Sequence, residues 1–350
     1  MTTGKVSDNP HTAFQTLPVV DVSGLRSNDP SQRQIAAEQL GQAARDAGFL
    51  YVVGHGIPTD YTERLIARTK AYFALPYAEK MRQYIGHSVN HSGYVPEGEE
   101  RFYGAKSVDK KEAYDIGYDM LEPAHRRPML GPNQWPDMPG FKEDILPYYQ
   151  SVLALGHQLF RGFALALGLA EDTFTQHIRR PPSQLRLIHY PYNPDLPPDT
   201  PGIGAHTDYE CFTILKPTAP GLEVLNGAGE WIDVPVLDDA FVINIGDMME
   251  ALTNGAFVAT SHRVRKVAEE RYSFPMFCNL DYDTVIEPLP ELISEQYPAR
   301  YESLVAGEHL YAQTIQTFEY LKQRLARGEL ELPEGAKGLS SFGQKAGSQA

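Results

Sequence analysis

Cysteine and long apolar runs are both scarce in this chain. Its 350 residues include two cysteines, Cys211 and Cys278, which cannot form the disulfide framework of a secreted scaffold. Both lie in apolar, strand-like runs, so we expect reduced thiols that pack in the core. The longest apolar stretch, SVLALGHQLFRGFALALGLA, is interrupted by His157, Gln158 and Arg161, and the N-terminus has no apolar signal core. The sequence therefore predicts a cytoplasmic protein without a membrane partner.

Positive charge is also in short supply. Lysine and arginine number 31 against 45 aspartates and glutamates, which gives a formal net charge of −14. An acidic surface does not attract nucleic acids or anionic membranes, so neither is an expected partner. An apolar content of 42% is ordinary for a globular protein with a sizeable core. We expect a monomer or weak homo-oligomer that acts on a small molecule.

The first part of the chain mixes helical and strand patterns. The spacing of apolar residues predicts a helix over 32–48, a short buried strand at FLYVV and a second helix over 59–75. Thr59 or Asp60 is the expected cap of the second helix. With the irregular segment that follows, these elements make up a predicted N-terminal helical or mixed region. We place that region at 1–130.

Helical patterns return on both sides of the chain's centre. Residues 131–182 contain a long amphipathic stretch, interrupted near Pro147, that is expected to back the core. Residues 286–350 contain a C-terminal helix and then, over 335–350, a loose tail rich in glycine and serine. Both regions are predicted to flank the core of the fold without forming it.

Short β-rich runs fill residues 183–285. They are separated by the turn sequences PNPD, APG, NGAGE and TNG, a pattern typical of antiparallel barrels. We therefore predict an α+β fold with a mainly β core: a jelly roll, or double-stranded β-helix, flanked by helices. Residues 84–140 show little periodicity, and an irregular region of that length favours a substrate-facing role.

The segment IGAHTDYECFTIL contains a candidate metal-chelating pair. Successive side chains of a strand alternate between its faces, so His206 and Asp208 point the same way while Thr207 points away. His262, in TSHRVRK, comes from a later strand at the distance that a further hairpin or two would require. Two imidazoles and one carboxylate are the set that holds ferrous iron on one face and leaves other positions open. The pattern predicts oxygen chemistry.

A candidate acid-binding pair follows the last of these residues. Arg271 offers a planar fork that suits a carboxylate, and Ser273, on the same strand face, can add a hydroxyl hydrogen bond.

Three other histidines are expected to have structural roles and not to bind a metal. His55 is expected to be a structural hydrogen-bonding residue, and His87 and His91 have helical spacing but lie among glycines and asparagines typical of a loop.

Several segments carry a family resemblance. LPVVDVSGL and DAGFLYVVGHGIP lie near the N-terminus, and LRLIHYPYNP, GIGAHTDYECFTIL, FVINIGDMMEALTNGAFVATSHRV and RYSFPMFCNLDYDTVIEPLP follow. From about residue 17 to about residue 325 the chain resembles the isopenicillin N synthase-like family of non-haem iron and 2-oxoglutarate-dependent dioxygenases. The resemblance implies that the two histidines and the aspartate bind Fe(II).

The resemblance also implies how the co-substrate is held. Arg271 and Ser273 would bind the distal carboxylate of 2-oxoglutarate, with Tyr190 as a further hydroxyl donor. Many plant members have asparagine two residues before that tyrosine, whereas this chain has Ile188, which puts one polar contact in question. The LIHYPY segment is more similar to the oxidases that form isopenicillin N, and these use the Arg-x-Ser pair for the substrate's own carboxylate.

The implied reaction is oxidative. Fe(II), 2-oxoglutarate and O2, with ascorbate as a stimulant, would hydroxylate, desaturate or cyclise a small organic substrate of secondary metabolism, releasing succinate and CO2. One alternative is a non-haem iron oxidase that needs no 2-oxoglutarate. Another is a catalytically silent binding protein on the same fold. The candidate substrate-lining residues are Tyr94, Arg101, Tyr103, Phe277 and Phe318.

Overall fold

The computed structural model describes residues 12–101, 109–197 and 200–333. Its helices are α1 (Pro30–Asp46), α2 (Thr59–Phe73), α3 (Tyr77–Lys80), α4 (Phe141–Ala166), α5 (Asp247–Leu252), α6 (Ala306–Thr317) and α7 (Glu319–Ala326). Its strands are β1 (Val19–Asp21), β2 (Phe49–Val53), β3 (Gly93–Val95), β4 (Glu112–Ile116), β5 (Gln184–Tyr190), β6 (Ile203–His206), β7 (Phe212–Pro217), β8 (Leu222–Leu225), β9 (Trp231–Asp233), β10 (Phe241–Ile245), β11 (His262–Val264), β12 (Arg271–Cys278), β13 (Val285–Ile286) and β14 (Leu304–Val305).

Two sheets form the core of the molecule. The major sheet has eight strands in the order β1-β2-β10-β7-β12-β5-β4-β3, and the minor sheet has four in the order β6-β11-β8-β9. The strands that meet in these sheets are antiparallel except β1 and β2, which run parallel. Side chains from both sheets line one cavity. The fold is the predicted jelly roll, an α+β architecture with a mainly β core.

A layer of helices backs the major sheet. Helix α4 packs against α1, α2 and β12. Its Phe160 and Phe163 place their ring centroids 4.7 and 5.3 Å from that of Phe212 on β7. Helix α1 ends where Gly48 adopts a positive φ of 64°, a conformation that favours glycine, and β2 begins one residue later. This turn takes the chain directly from the helical layer into the sheet.

Four details of the sequence prediction are corrected by the structure. Helix α4 is continuous through Pro147, because the proline lies near the helix start and the missing hydrogen bond affects only the carbonyl of Glu143, an exposed residue. Helix α2 begins at Thr59 with Pro58 at its cap position, so neither Thr59 nor Asp60 caps it. The irregular segment 84–140 contributes β3 and β4 to the major sheet. The C-terminal helix is broken at Phe318, whose backbone is extended.

Strands from different regions of the predicted domain division pair in the same sheet. Strands β2 and β10 are neighbours in the major sheet, and so are β4 and β5, although in each pair one strand lies before residue 130 and the other after residue 183. The division at 130, 182 and 285 therefore stays a prediction about sequence regions.

The predicted tail over 335–350 lies outside the described residues. No helix in the described part of the chain is both long and apolar enough to span a bilayer.

Candidate active site

Strand pairing brings the three candidate iron ligands together. His262 on β11 is the direct partner of His206 on β6, and their ring centroids are 4.3 Å apart. Asp208 lies just past the end of β6, with Oδ1 3.6 Å from Nε2 of His206 and 3.7 Å from Nε2 of His262. The possible ligand atoms of all three residues lie within 4.8 Å of one another. One metal ion could contact all three.

Backbone carbonyls orient both imidazoles. Nδ1 of His206 lies 2.8 Å from the carbonyl oxygen of Gly204, and Nδ1 of His262 lies 3.3 Å from that of Thr260. When Nδ1–H donates to a carbonyl, the metal-binding lone pair is on Nε2, and Nε2 is the atom that faces Asp208. The histidines are therefore held in the tautomer that can bind a metal.

The carboxylate of Asp208 is also held in one orientation. Its Oδ2 accepts a hydrogen bond of 2.7 Å from Nδ2 of Asn244 on β10 and another from the hydroxyl of Thr213 on β7. Oδ1 is thereby left to face the imidazoles. Two neutral nitrogens and one anionic oxygen on a common side are the donor set of a facial triad for Fe(II).

Burial and mutual contact tune the protonation of these groups. Burial, reinforced by the neighbouring His262, lowers the pKa of His206 to about 4. Burial also opposes ionisation of Asp208, but the two imidazoles and the hydrogen bonds from Asn244 and Thr213 outweigh it and hold the pKa of Asp208 below its ordinary value. Metal ligands must be a neutral imidazole and an ionised carboxylate, which are the forms these shifts favour.

Arg271 lies buried on another wall of the cavity without a counter-ion. Its side chain is on β12, its residue is 1% exposed, and its Nε donates to the carbonyl oxygen of Ala219 at 3.1 Å. One terminal nitrogen, NH1, is buried without a hydrogen-bond partner, and no carboxylate of the described residues forms an ion pair with the guanidinium. A buried cation with an unused donor is suited to a carboxylate ligand.

Ser273 and Tyr190 lie beside this arginine. Strand register pairs Arg271 with Tyr190 and Ser273 with Ile188. The guanidinium carbon of Arg271 lies 4.6 Å from the centroid of the Tyr190 ring. Burial raises the pKa of Tyr190 to about 12, so its hydroxyl stays protonated and able to donate. Ile188 also faces the cavity, so an apolar side chain takes the place of an asparagine there.

The candidate metal ligands and the candidate acid-binding residues line a single cavity. It encloses about 890 Å³ of atom-free space, including its opening to solvent, and both the triad and the Arg271–Ser273 pair line it. Phe277 and Phe318 are also on its wall. The extended backbone at Phe318, between α6 and α7, carries its ring into the cavity. Two of the predicted substrate-lining aromatics are thus brought to the site.

Two other predicted lining residues, Tyr94 and Arg101, are not on the cavity wall. The structure corrects the prediction for Tyr94, a core residue whose hydroxyl donates to Glu112 at 2.6 Å on the far face of the sheet. It also corrects the prediction for Arg101, whose side chain is 51% exposed and lies 3.9 Å from Glu319, outside the cavity wall. Both residues lie within the irregular segment 84–140, whose course could not be predicted from the sequence. Tyr103 lies outside the described residues.

Sequence reasoning missed a buried ionic network on the cavity wall. Arg186 on β5 binds Asp115 through Nε at 2.7 Å and NH2 at 2.9 Å, and binds both carboxylate oxygens of Glu100 through NH1. Lys111 pairs with Glu100 as well. His91 lines the cavity and contacts the hydroxyl of Tyr320 at 2.8 Å. Period-two alternation with Ile188 and Tyr190 could have identified Arg186.

A second missed residue, Glu210, follows Asp208 by two positions. It is 8% exposed and lines the cavity near the triad. Burial raises the pKa of Glu210 to about 8, with the Asp208 carboxylate adding to the effect. The same alternation that joins His206 to Asp208 points to this residue, although the strand itself ends at His206.

Known proteins match this chain along most of its length. A family model described as the 2OG-Fe(II) oxygenase superfamily matches residues 181–280. A second model, described as non-haem dioxygenase in morphine synthesis N-terminal, matches residues 17–138. The two matches together include every residue discussed above as a metal or acid ligand.

Individual relatives agree with these models. A homoarginine-6-hydroxylase of Oryza sativa subsp. japonica is 35% identical, over 87% of this chain and 98% of that protein. The 2-oxoglutarate-dependent dioxygenase thnC of Trichoderma harzianum is 35% identical, over 76% and 85%. The crystal structure of a full-length Neurospora crassa protein in complex with alpha-KG and thymine matches with a TM-score of 0.75 at 26% identity, over 91% and 98%. This chain therefore belongs to the 2OG-Fe(II) oxygenase superfamily and is an Fe(II)- and 2-oxoglutarate-dependent dioxygenase that requires O2.

Proposed function

We propose that His206, Asp208 and His262 hold Fe(II), and that Arg271 holds the distal carboxylate of 2-oxoglutarate with help from Ser273 and Tyr190. The observation that carries this assignment is the buried Arg271 guanidinium, which has an unpartnered NH1 and shares one cavity with the triad. A dicarboxylate could satisfy that guanidinium with one end and approach the metal with the other. The reaction is hydroxylation of a small organic substrate, with release of succinate and CO2.

The chain's own contribution is positioning and exclusion of water. Bound iron supplies the activation of oxygen. The carbonyls of Gly204 and Thr260 fix the imidazoles, and Asn244 and Thr213 fix the Asp208 carboxylate, so the ligands need no rearrangement. Apolar side chains such as Ile188 and Phe318 line the same cavity and keep stray water from the reacting carbon.

Hydroxylation is favoured over desaturation or ring closure by the names of the relatives. Homoarginine-6-hydroxylases of rice and of Arabidopsis thaliana are 35% and 33% identical to the chain. We take the cytoplasm as the location and a monomer or weak homo-oligomer as the state. The formal net charge of −14 disfavours binding to nucleic acids and anionic membranes. Ascorbate is expected to stimulate turnover.

The deciding experiment measures succinate formed per oxygen consumed, in the parent protein and in Ser273→Ala and Tyr190→Phe. Because each hydroxyl would bond a charged group, we expect each variant to weaken 2-oxoglutarate binding by about 1.5–3 kcal/mol. Anaerobic addition of 2-oxoglutarate to the Fe(II) protein should produce a visible charge-transfer band. Affinity for the organic substrate should change less.

The competing function, an iron oxidase that needs no keto acid, gives the opposite results. Oxygen consumption would proceed without 2-oxoglutarate, and the ratio of succinate to oxygen would be near zero. Both variants would then lose affinity for the organic substrate, because Arg271, Ser273 and Tyr190 would hold its carboxylate. That outcome would overturn the assignment of these three residues.

A further inference from the structure

Most charges around the cavity are matched once the iron and 2-oxoglutarate are in place. Fe(II) and the Arg271 guanidinium together carry as much positive charge as the Asp208 carboxylate and the dianionic co-substrate carry negative charge. This group of charges is therefore neutral as a whole. Burying a net charge is costly, so such matching is expected in a closed site.

The ionic network on the cavity wall is matched internally. The two cations Arg186 and Lys111 face the two carboxylates Glu100 and Asp115, all of them buried. All three nitrogens of the Arg186 guanidinium are used, with Nε and NH2 on Asp115 and NH1 on Glu100. Arg186 has no remaining nitrogen that points at a third carboxylate.

Of the three described carboxyl groups that line the cavity, Glu100, Asp208 and Glu210, only Glu210 is left without a matching charge. Its residue is 8% exposed, its side chain lines the cavity, and it forms no ion pair with any lysine, arginine or histidine in the described part of the chain. Glu210 lines the same cavity as the three candidate metal ligands, so a ligand group that contacts it shares that cavity with the metal site. A buried carboxyl group without a cation is costly to ionise, and a cationic group on a ligand would supply the missing counter-charge.

We propose that the substrate of this enzyme carries an ammonium or guanidinium group, and that Glu210 binds that group and so selects cationic substrates. The proposal rests on the function given above, because the cation is fixed relative to the oxidising iron. Phe277 and Phe318, also on the cavity wall, offer apolar contact to the rest of the molecule. A substrate with one cationic end and an aliphatic body satisfies all of these surfaces.

The test uses pairs of ligands that differ only in charge. L-arginine with L-citrulline, L-homoarginine with L-homocitrulline, and n-butylguanidine with n-butylurea each compare a guanidinium with its neutral urea isostere. Binding is measured by calorimetry to protein loaded with Mn(II), with and without 2-oxoglutarate, so no turnover is needed. At least one cationic probe should bind the parent protein about tenfold or more tightly than its urea partner, as expected for a hydrogen bond to a charged group.

Two variants identify the residue responsible. Glu210→Gln keeps the shape of the side chain and removes its charge, so the preference for the cationic probe should fall to within about twofold. Glu223→Gln, a carboxylate on β8 that is paired with Arg263 outside the cavity, is the matched control and should keep the preference. Circular dichroism checks that each variant is folded.

The results separate this proposal from the one on which it rests. Equal binding of cation and urea in every pair, or no binding of any cationic probe, overturns the role of Glu210. A preference that survives in Glu210→Gln overturns it as well. Failure of 2-oxoglutarate to bind in the same calorimetry contradicts the co-substrate assignment instead, and the probe titrations without 2-oxoglutarate still report on Glu210.

Discussion

At the scale of single residues, each candidate iron ligand has a dedicated hydrogen-bonding partner. Backbone carbonyls orient the two imidazoles, and the side chains of Asn244 and Thr213 use up one oxygen of Asp208. The other oxygen faces both histidines at 3.6 and 3.7 Å. Hydrogen bonds of this kind hold the ligands in position and raise their affinity for a metal.

The first prediction concerns Asp208 and its partner. Asp208→Ala removes the only anionic ligand, so turnover should be lost while the fold survives. Asn244→Ala leaves all three ligands in place but frees the carboxylate, and iron affinity should fall about 10- to 100-fold. Fe(II) titration and circular dichroism measure the two effects. Near-normal activity of Asp208→Ala with added iron would remove Asp208 from the ligand set.

The second prediction concerns Arg271. Arg271→Lys keeps the positive charge but loses the planar fork and the Nε donor that contacts Ala219. We expect the concentration of 2-oxoglutarate needed for half-maximal rate to rise at least about tenfold, the equivalent of one charge-assisted hydrogen bond. Arg265→Lys, which alters an exposed pair with Asp233, is the control. An unchanged requirement in Arg271→Lys would place the co-substrate elsewhere.

At the scale of elements, the two faces of β5 and β12 have different roles: one lines the cavity and the other carries an ionic cluster. Arg186, Ile188 and Tyr190 face the cavity from β5, while His189 points to the other side, where it contacts Glu112 on β4 and Glu270 just before β12. The same pair of strands therefore forms the site wall and an ionic cluster outside it. The period of two along a strand is the physical reason.

The third prediction is a pH dependence of stability. Burial opposes protonation of His189, but its contacts with Glu112 and Glu270 outweigh burial and raise the pKa of His189 above 6.5. A raised folded-state pKa stabilises the fold fully below 6.5, and this contribution is lost as pH rises through the raised value. The free energy of unfolding in urea should therefore fall as pH rises above 6.5 and through the raised pKa of His189.

His189→Gln tests the origin of that slope. The variant cannot gain a proton, so its free energy of unfolding should change less over the same interval. Titration of the two partner carboxylates does not contribute to the slope in this pH range. The pKa values of Glu112 and Glu270 are lowered, so their contributions are lost only in acid, as pH falls through those values. An identical slope in parent and variant would assign the pH dependence to other groups.

The fourth prediction concerns the contact between α1 and α4. A Cβ atom added at Gly41 would lie 2.4 Å from Cβ of Ala166, far inside van der Waals contact. Gly41→Ala should therefore destabilise the fold by about 1–3 kcal/mol despite the better helix propensity of alanine. Gln39→Ala, at an exposed position of the same helix, should change stability by less than about 0.5 kcal/mol. Urea denaturation compares the two, and a stabilised Gly41→Ala would contradict the close packing.

At the scale of the whole molecule, the site joins both sheets. The histidines lie on β6 and β11 of the minor sheet, and Arg271, Ser273 and Tyr190 lie on β12 and β5 of the major sheet. A metal bound on one side and a dicarboxylate that reaches the other would link the sheets through the cavity. Ligand binding is therefore coupled to the stability of the complete jelly roll.

The fifth prediction measures that coupling. Mn(II) and 2-oxoglutarate bind only the folded protein, so concentrations about 100-fold above the dissociation constant should add about 2.7 kcal/mol to the free energy of unfolding. Thermal unfolding with Mn(II) alone, with 2-oxoglutarate alone and with both determines whether the two ligands act together. A melting temperature that is unchanged by both ligands would argue against a preformed site in the cavity.

The sequence determined the features that depend on local spacing. Apolar periodicity predicted α1, β2, α2 and the β-rich region, because amphipathic spacing reports which face of an element is buried. The two-residue steps from His206 to Asp208 and from Arg271 to Ser273 predicted that each pair faces one side, since strand side chains alternate. The extended family resemblance then predicted the fold and the cofactors.

Tertiary structure alone decided what depends on distant contacts. The pairing of β11 with β6 sets the distance between His262 and His206, and the bend at Phe318 turns a predicted wall residue into the cavity. The pairing of Arg186 with Glu100 and Asp115 leaves Glu210 as the carboxyl group of the described cavity wall that has no ion-pair partner. None of these contacts follows from spacing along the chain, because each joins segments whose approach is set by strand register and by the packing of the whole domain.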